Sequence, residues 1–346
     1  MKKILVLLLC TALLGGLVLA AIQMNKIDEE TPIENAGLSQ NAETELLSLT
    51  YQGHSYPMRS HLKTVLLIGH LDTVDVSDRW KTDPFVPSTD AYQEQTEGVK
   101  AFYNYNQADF LTVVVLDTQE NTAKILQLNR DTMTDVPWLD VLGNYGGTEY
   151  KQLCLAYNYG DGGMKSCKNT VDAVRSLLFD APIDHYIQIP MSAIGTLNDL
   201  VGGVPVTIEE DMTVIDPAFT QGASLVLNGA QAESFVRARM ALDNDTNLAR
   251  MARQRQYLNG FQKQAQAAFN SDSQFMVKLV GKLSEFLQSD LTAQQLQDLL
   301  TGLDKADISP IRYPEGQLKR GEEYYEFYPE EASLWDMVKE AYCIPD

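Results

Sequence analysis

Cysteine, histidine and tryptophan are scarce in this chain of 346 residues: four, four and three respectively. So few cysteines exclude a disulfide-built scaffold. No Cys or His spacing matches a zinc site, since His54, His61, His70 and His185 are scattered and have no ligand-like neighbours. Cations are also short: 27 Lys and Arg stand against 47 Asp and Glu, a formal net charge of −20. That balance argues against nucleic-acid binding, which needs a basic footprint to meet phosphate. A small anion held in a local basic pocket remains open. Internal repeats are absent, and long apolar runs are limited to one.

That run extends from Ile4 to Gln23 without a charge, behind Met1-Lys2-Lys3. Twenty helical residues rise about 30 Å, the thickness of a bilayer core. Lys2 and Lys3 hold the short end in the cytoplasm by the positive-inside rule. Residues 1–23 are therefore expected to be a single membrane anchor with the body outside the cytoplasm. The rival is a cleaved signal peptide ending near Val18-Leu19-Ala20. Cys10 lies inside the run as a small apolar residue. Residues 24–60 are polar and acidic and read as an extracytoplasmic stalk.

From residue 61 the pattern changes. Thr64–Gly69, Phe110–Leu116 and Ala123–Leu128 are short continuous apolar runs, the mark of strands buried on both faces. Asp117 to Thr122 reads as the turn between the last two, and residues 73–107 as a long surface insertion. Helical spacing covers Asn169–Leu178, Met191–Leu200 (ended by Gly202-Gly203), 229–239 and 247–270. Strand signals recur at His185–Ile189 and Val204–Ile208. Alternating strands and helices predict an α/β fold: an α/β/α sandwich on a central mixed sheet, over residues 61–270. Residues 271–346 read as a helical extension and tail.

The densest chemical signal is a knot of arginines. Of eleven in the chain, five fall between 237 and 255: Arg237, Arg239, Arg250, Arg253 and Arg255. Arginine presents a planar fork that matches phosphate or carboxylate oxygens two at a time. The knot sits at a helix start, where Asp243, Asp245, Thr246 and Asn247 are suitable N-caps. Cations in a first turn oppose the helix dipole, and a bound anion would reverse that cost. A solvated basic face paired to nearby acids is the plain alternative. Three further clusters flank strands: Asp72 and Asp75 after the first, Asp109 before the second, and Arg130-Asp131-Thr132 after the third. Ligand sites of open α/β sheets gather at strand ends. Aspartates from separate elements can share a Mg²⁺ with phosphate oxygens, with arginines neutralising the remaining charge. Cys154 and Cys167, 13 apart, form a candidate disulfide pair, worth roughly 3 kcal/mol if closed, or stay reduced.

In collinear order, these segments resemble the LytR-CpsA-Psr family of bacterial cell envelopes over roughly residues 62–262. The matching segments include Val65-Leu-Leu-Ile-Gly69, Ala108-Asp109-Phe110, Leu128-Asn-Arg130-Asp131-Thr132, Leu200-Val-Gly-Gly-Val-Pro-Val206 and Arg250-Met-Ala-Arg-Gln-Arg255. The resemblance implies an α/β/α sandwich with an apolar tunnel for a polyprenyl tail and the pyrophosphate head at its mouth. It also implies transfer of a glycopolymer from that carrier to peptidoglycan. Asp72 and Asp109 match the Mg²⁺-linked aspartates. Arg130, Arg237, Arg239, Arg250 and Gln254 match the pyrophosphate clamp. Asp131 matches an aspartate to which a base or orienting role is assigned, so that Asp131, Arg130 and Asp109 form the expected catalytic set. The chain departs from the family at Gln107 and Gln152, where cations are usual unless Lys151 substitutes, and at Asn247, where an acid is usual. Two readings follow: a membrane-anchored Mg²⁺-dependent phosphotransferase, or a non-catalytic envelope protein that binds lipid-linked precursor or wall polymer.

Overall fold

A computed structural model describes residues 47–70, 106–140, 143–238, 242, 246–272, 274–321 and 324–345. The expected anchor, Asp72, the body of the 73–107 insertion and Arg239 lie outside them. Among the described residues no helix is long and apolar enough to cross a membrane.

A six-stranded mixed sheet forms the centre. Its strands are β3 (Leu62–His70), β4 (Ala108–Asp117), β5 (Thr122–Leu128), β8 (His185–Pro190), β11 (Gln288–Ser289) and β12 (Asp307–Ile308), in the order β11-β8-β3-β4-β5-β12. β3 pairs antiparallel with β4 and parallel with β8. The expected apolar runs are thus the inner strands, buried on both faces because helices lie on both. Leu66, Ile68, Leu111, Val113 and Leu126 pack against helices α1 (Met164–Leu177) and α7 (Glu331–Tyr342). The alternate residues Val65, Val114, Leu116 and Ile125 pack against helix α6 (Ala293–Lys305). A period of two divides each run between the two cores.

Beside that second face stand α2 (Ala193–Leu200), α3 (Gly229–Arg237), the 25-residue α4 (Asn247–Ser271) and α5 (Phe275–Leu283). A small hairpin, β9 (Val204–Thr207) with β10 (Ser224–Leu227), packs with them. The starts are chemically specified: Asn228 and Gln231 make a capping box on α3, and Thr246 caps α4 by accepting from the Ala249 N–H.

The structure differs from the sequence reading in four places. Residues 48–57, within the expected stalk, form the hairpin β1 (Ser48–Tyr51) and β2 (His54–Pro57). It is held by packing remote in sequence: Tyr51 stacks on Trp335 of α7, centroids 4.6 Å apart. Helix α1 starts five residues before its apolar period does. Residues 133–152, which have no strand period, form β6 (Met133–Leu139) and β7 (Tyr145–Gln152). Beyond residue 270 the chain adds β11 and β12 to the edges of the central sheet and α7 to its core. It also forms the hairpin β13 (Gly316–Arg320) with β14 (Tyr325–Pro329).

Candidate active site

Strand register assembles the site. β4 and β5 pair with Leu111 opposite Leu128. Continuing that antiparallel count two residues outward brings Asp109 opposite Arg130. The carboxyl end of β3 reaches the same edge through Gly69, where a β-bulge sits. A Cβ at Gly69 would lie 2.9 Å from the Phe110 Cβ and 3.2 Å from the Met191 Sδ, so glycine permits the close approach.

Arg130, Asp109 and Arg250 are 7, 6 and 3% exposed and form one charge cluster. Arg130 Nη1 donates to Asp109 Oδ1. Arg250, in the first turn of α4, donates from Nη1 to the same oxygen at 3.0 Å. Arg130 Nε lies 3.3 Å from Asp131 Oδ1, and its Nη2 donates to Gln107 Oε1 and to Cys154 Sγ, the latter at 3.0 Å. Asn129 orders the turn: its Oδ1 accepts from the Asp131 N–H at 3.0 Å and from Asn247 Nδ2 at 2.6 Å. Asn247 in turn accepts from Arg250 Nη2. Burial raises the Asp109 pKa, but Arg250 and Arg130 outweigh it and hold the carboxyl at about 2. Burial lowers the Arg130 pKa, and the Cys154 sulfur, Asp109 and Asp131 reverse that and raise it. At neutral pH Asp109 is an anion and Arg130 a cation.

The arginine knot does not act as a unit. Arg250 enters the cluster. Arg253 is a structural latch, donating to Glu210 Oε1 at 2.5 Å and to the Ala238 carbonyl. Arg255 reaches Gln127 Oε1 at 3.2 Å and stacks over Tyr313. Arg237 pairs with Glu233 one turn back on α3, at 2.6 Å. Gln254 follows Arg250 by one turn on the same face of α4, and its buried Oε1 has no hydrogen-bond partner among the described residues.

The departures from the family pattern acquire definite roles. Gln107 accepts from Arg130. Gln152 Nε2 donates to the Tyr325 carbonyl at 2.6 Å and approaches Asp131 Oδ1 at 3.5 Å. Lys151 instead pairs with Glu149 and donates to the Tyr159 hydroxyl at 3.1 Å, so it does not substitute for a cation at Gln152. The Cys154–Cys167 disulfide is corrected: both are free, buried thiols. Cys154 is engaged by Arg130, and Cys167 donates to Gln188 Oε1 at 2.7 Å. Burial pushes the Cys154 thiol up to about 11.

Among the described residues no group of three or more His, Cys, Asp or Glu could hold a metal. Asp109 nevertheless supplies a hard, ionised carboxylate. Mg²⁺ needs only one or two such groups when phosphate oxygens and water complete its shell, so the donor chemistry fits that ion.

Next to the cluster opens a cavity of about 590 Å³ between the sheet and α2, α3 and α4. Its wall begins at Gly69 and Phe110, one residue from Asp109, and continues along α4 through Gln254, Tyr257, Leu258 and Phe261. Those positions extend one helical face from Arg250 over 11 residues, about 16 Å. The face turns from charged to amide to apolar along its length. On the sheet the lining includes Leu67, Val114, Ile125, Ile187 and Ile189. The resemblance implied an apolar tunnel, but the residues that line this cavity were not legible in the sequence, because they pack equally well as ordinary core. Sequence reasoning also gave no role to Asn129, which lies inside a recognised motif, and gave Cys154 only a candidate disulfide in place of its contact with Arg130.

A family model described as the LytR_cpsA_psr family matches residues 42–340. Two proteins named polyisoprenyl-teichoic acid–peptidoglycan teichoic acid transferase TagU are similar to this chain. The one from Bacillus cereus (strain AH820) is 26% identical over 234 residues, 67% of this chain and 71% of that protein. The one from Halalkalibacterium halodurans is 28% identical over 231 residues, 66% and 70%. The fold is similar to TagT bound to LIIa-WTA (TM-score 0.53, 20% identity, 82% of this chain and 90% of that one). It is also similar to the protein gbs0355 of Streptococcus agalactiae (TM-score 0.58, 18% identity, 82% and 88%).

Proposed function

We propose, from the premise that this chain belongs to the LytR-CpsA-Psr family, that it transfers a glycopolymer from a polyprenyl-pyrophosphate carrier to peptidoglycan. One observation carries the reading: two buried guanidinium groups meet at a single carboxylate beside a cavity that becomes apolar away from them. An amphiphile with an anionic head and a hydrocarbon tail has that polarity profile. The relatives' printed names, which specify a polyisoprenyl-linked donor and a peptidoglycan acceptor, support the substrate class.

Phosphoryl transfer needs charge neutralisation and in-line positioning more than covalent help. Arg130 and Arg250 supply planar donors to the pyrophosphate oxygens, each charge-assisted bond contributing about 1.5–3 kcal/mol. Arg237 and Arg239, which precede α4 in the sequence, and Gln254 extend the clamp. Asp109, with Asp72, is the pair that would hold Mg²⁺, which supplies further charge neutralisation when bound. Asp131 receives the proton of the acceptor hydroxyl or orients it. The hydroxyl oxygen bonds to the phosphorus that bears the glycan, the bridging P–O bond breaks, and polyprenyl phosphate leaves. Gly69 and Phe110 place apolar wall against the head site and exclude water from it. We further propose that residues 1–23 anchor the chain as a single membrane span, with the body outside the cytoplasm. The charge-free run behind Lys2 and Lys3 supports this topology.

The test is turnover of a polyprenyl-pyrophosphate-linked glycan by the full chain, with Mg²⁺ and a wall acceptor. Activity that Arg250→Ala abolishes supports the transferase. A specific observation favours a binding-only reading: Gln107, Gln152 and Asn247 are neutral, and Asp109 and Asp131 already balance Arg130 and Arg250. Tight carrier binding without turnover would decide for it.

A further inference from the structure

β14 lies alongside the active-site turn. Thr132 bridges to Phe327 in parallel, and the Phe327 N–H donates to the Asp131 carbonyl at 2.8 Å. Hairpins β6–β7 and β13–β14 thereby meet over Asp131, which lies fully buried beneath them. Gln152 joins them, contacting the Tyr325 carbonyl and Asp131 Oδ1.

The surface carries tyrosines set among hydrogen-bonding groups. Tyr150 stands two residues from Gln152, hence on the same strand face about 7 Å away, and is 58% exposed. Asp135 is its register partner across the hairpin. Glu326 and Tyr328 share the facing side of β14, with the Tyr328 hydroxyl donating to Glu326 Oε2 at 2.6 Å. Lys319 caps the Tyr328 ring at 4.5 Å. The two hairpins sense each other electrostatically: partial burial, then Asp135 and Glu326, raise the Tyr150 pKa. Neither a packed core nor the pyrophosphate chemistry calls for this set.

We propose that the Tyr150–Glu326–Tyr328 surface binds the sugar chain of the acceptor and delivers its hydroxyl to Asp131. The inference rests on the transferase reading for the identity of the acceptor. Pyranose rings present flat C–H faces that stack on an exposed tyrosine such as Tyr150, with the half-buried Tyr328 beside it, while carboxylates and amides accept and donate to their hydroxyls. Asp135 and Glu326 outweigh Lys319, and the chain carries −20 overall, so a polyphosphate polymer is repelled from this surface. A glycan strand without phosphate is accepted. Continuity with Asp131 through Gln152 separates this surface from a general adhesive patch.

The experiment is co-sedimentation of the full chain, in detergent, with peptidoglycan sacculi stripped of lipid and secondary polymer. Carrier-head affinity is measured in parallel with farnesyl pyrophosphate. Tyr150→Ser with Tyr328→Ser should weaken sacculus binding at least tenfold and leave farnesyl pyrophosphate affinity unchanged. Tyr150→Phe with Tyr328→Phe should retain most of the binding. Should the double serine variant fail to fold, Tyr150→Ser alone gives the same test at an exposed position. The proposal is overturned if wild type ignores sacculi, if the serine variants bind them as wild type does, or if the loss appears only with anionic lipid vesicles. Sacculus binding that depends on Tyr150, in a chain that turns over no carrier, would refute the transferase reading and leave this surface standing.

Discussion

Asp109→Asn isolates the electrostatic argument, because it removes one charge and almost no volume. Asp109 is held at about 2 against an ordinary 3.8, so the fold favours the ionised form by roughly 2–3 kcal/mol. Its loss leaves Arg130 with Asp131 at 3.3 Å and takes from Arg250 the carboxylate that it shares with Arg130. Breaking a buried ion pair from one side costs about 3–5 kcal/mol, and the retained Asp131 contact places the expected loss near 3 kcal/mol. At about 2–3 °C per kcal/mol for a chain of this size, Tm should fall by roughly 6–10 °C. With the shared anion gone, Arg130 and Arg250 should bind inorganic pyrophosphate more tightly than in wild type, by about tenfold in EDTA, or roughly 1.4 kcal/mol. Turnover should nevertheless collapse. The assay is thermal unfolding by near-UV circular dichroism with and without pyrophosphate, beside single-turnover transfer. A Tm drop below about 2 °C, or equal stabilisation of both proteins by pyrophosphate, would refute the picture of two arginines balanced on one carboxylate.

The same carboxylate sets an acid limit. Its folded pKa is depressed, so its contribution is complete above about 4 and disappears as pH falls from about 4 towards 2; acid unfolding of wild type should steepen there, and Asp109→Asn should flatten that segment. Arg253→Ala, which breaks the latch to Glu210 and Ala238, should lower stability by about 1–3 kcal/mol and leave farnesyl pyrophosphate affinity within twofold, measured by calorimetry. Leu258→Trp fills part of the cavity, so competition binding should show at least tenfold weaker affinity for a long polyprenyl pyrophosphate, with inorganic pyrophosphate unaffected. Cys154 and Cys167 should alkylate fully in denaturant without reductant and, with Cys154 pushed up to about 11, Cys154 should resist iodoacetamide in the native protein at pH 8.

Local pattern and strand arithmetic made much of this protein legible. Buried strands read as unbroken apolar runs because a strand covered on both faces has no polar side to show. The runs 110–116 and 123–128 were legible as strands joined by a short turn, and the register that the structure gives them carries Asp109 to Arg130. Thr246, one of the expected N-caps, announced its helix in the same local way. Packing between distant segments decided the rest. The arginines of 237–255 look alike in sequence, yet helix orientation sends Arg250 to Asp109, Arg253 to Glu210 and Arg255 to Gln127. Cys154 and Cys167 have disulfide-like spacing, but tertiary packing sets one thiol against Arg130 and the other against Gln188. The cavity exists because α4 and α6 cover different parts of one sheet face and leave a gap that no residue type encodes. The placement of β14 against Asp131 joins residues almost two hundred positions apart. Sequence periodicity carries which face a residue occupies; what lies opposite that face depends on the summed packing of every other element.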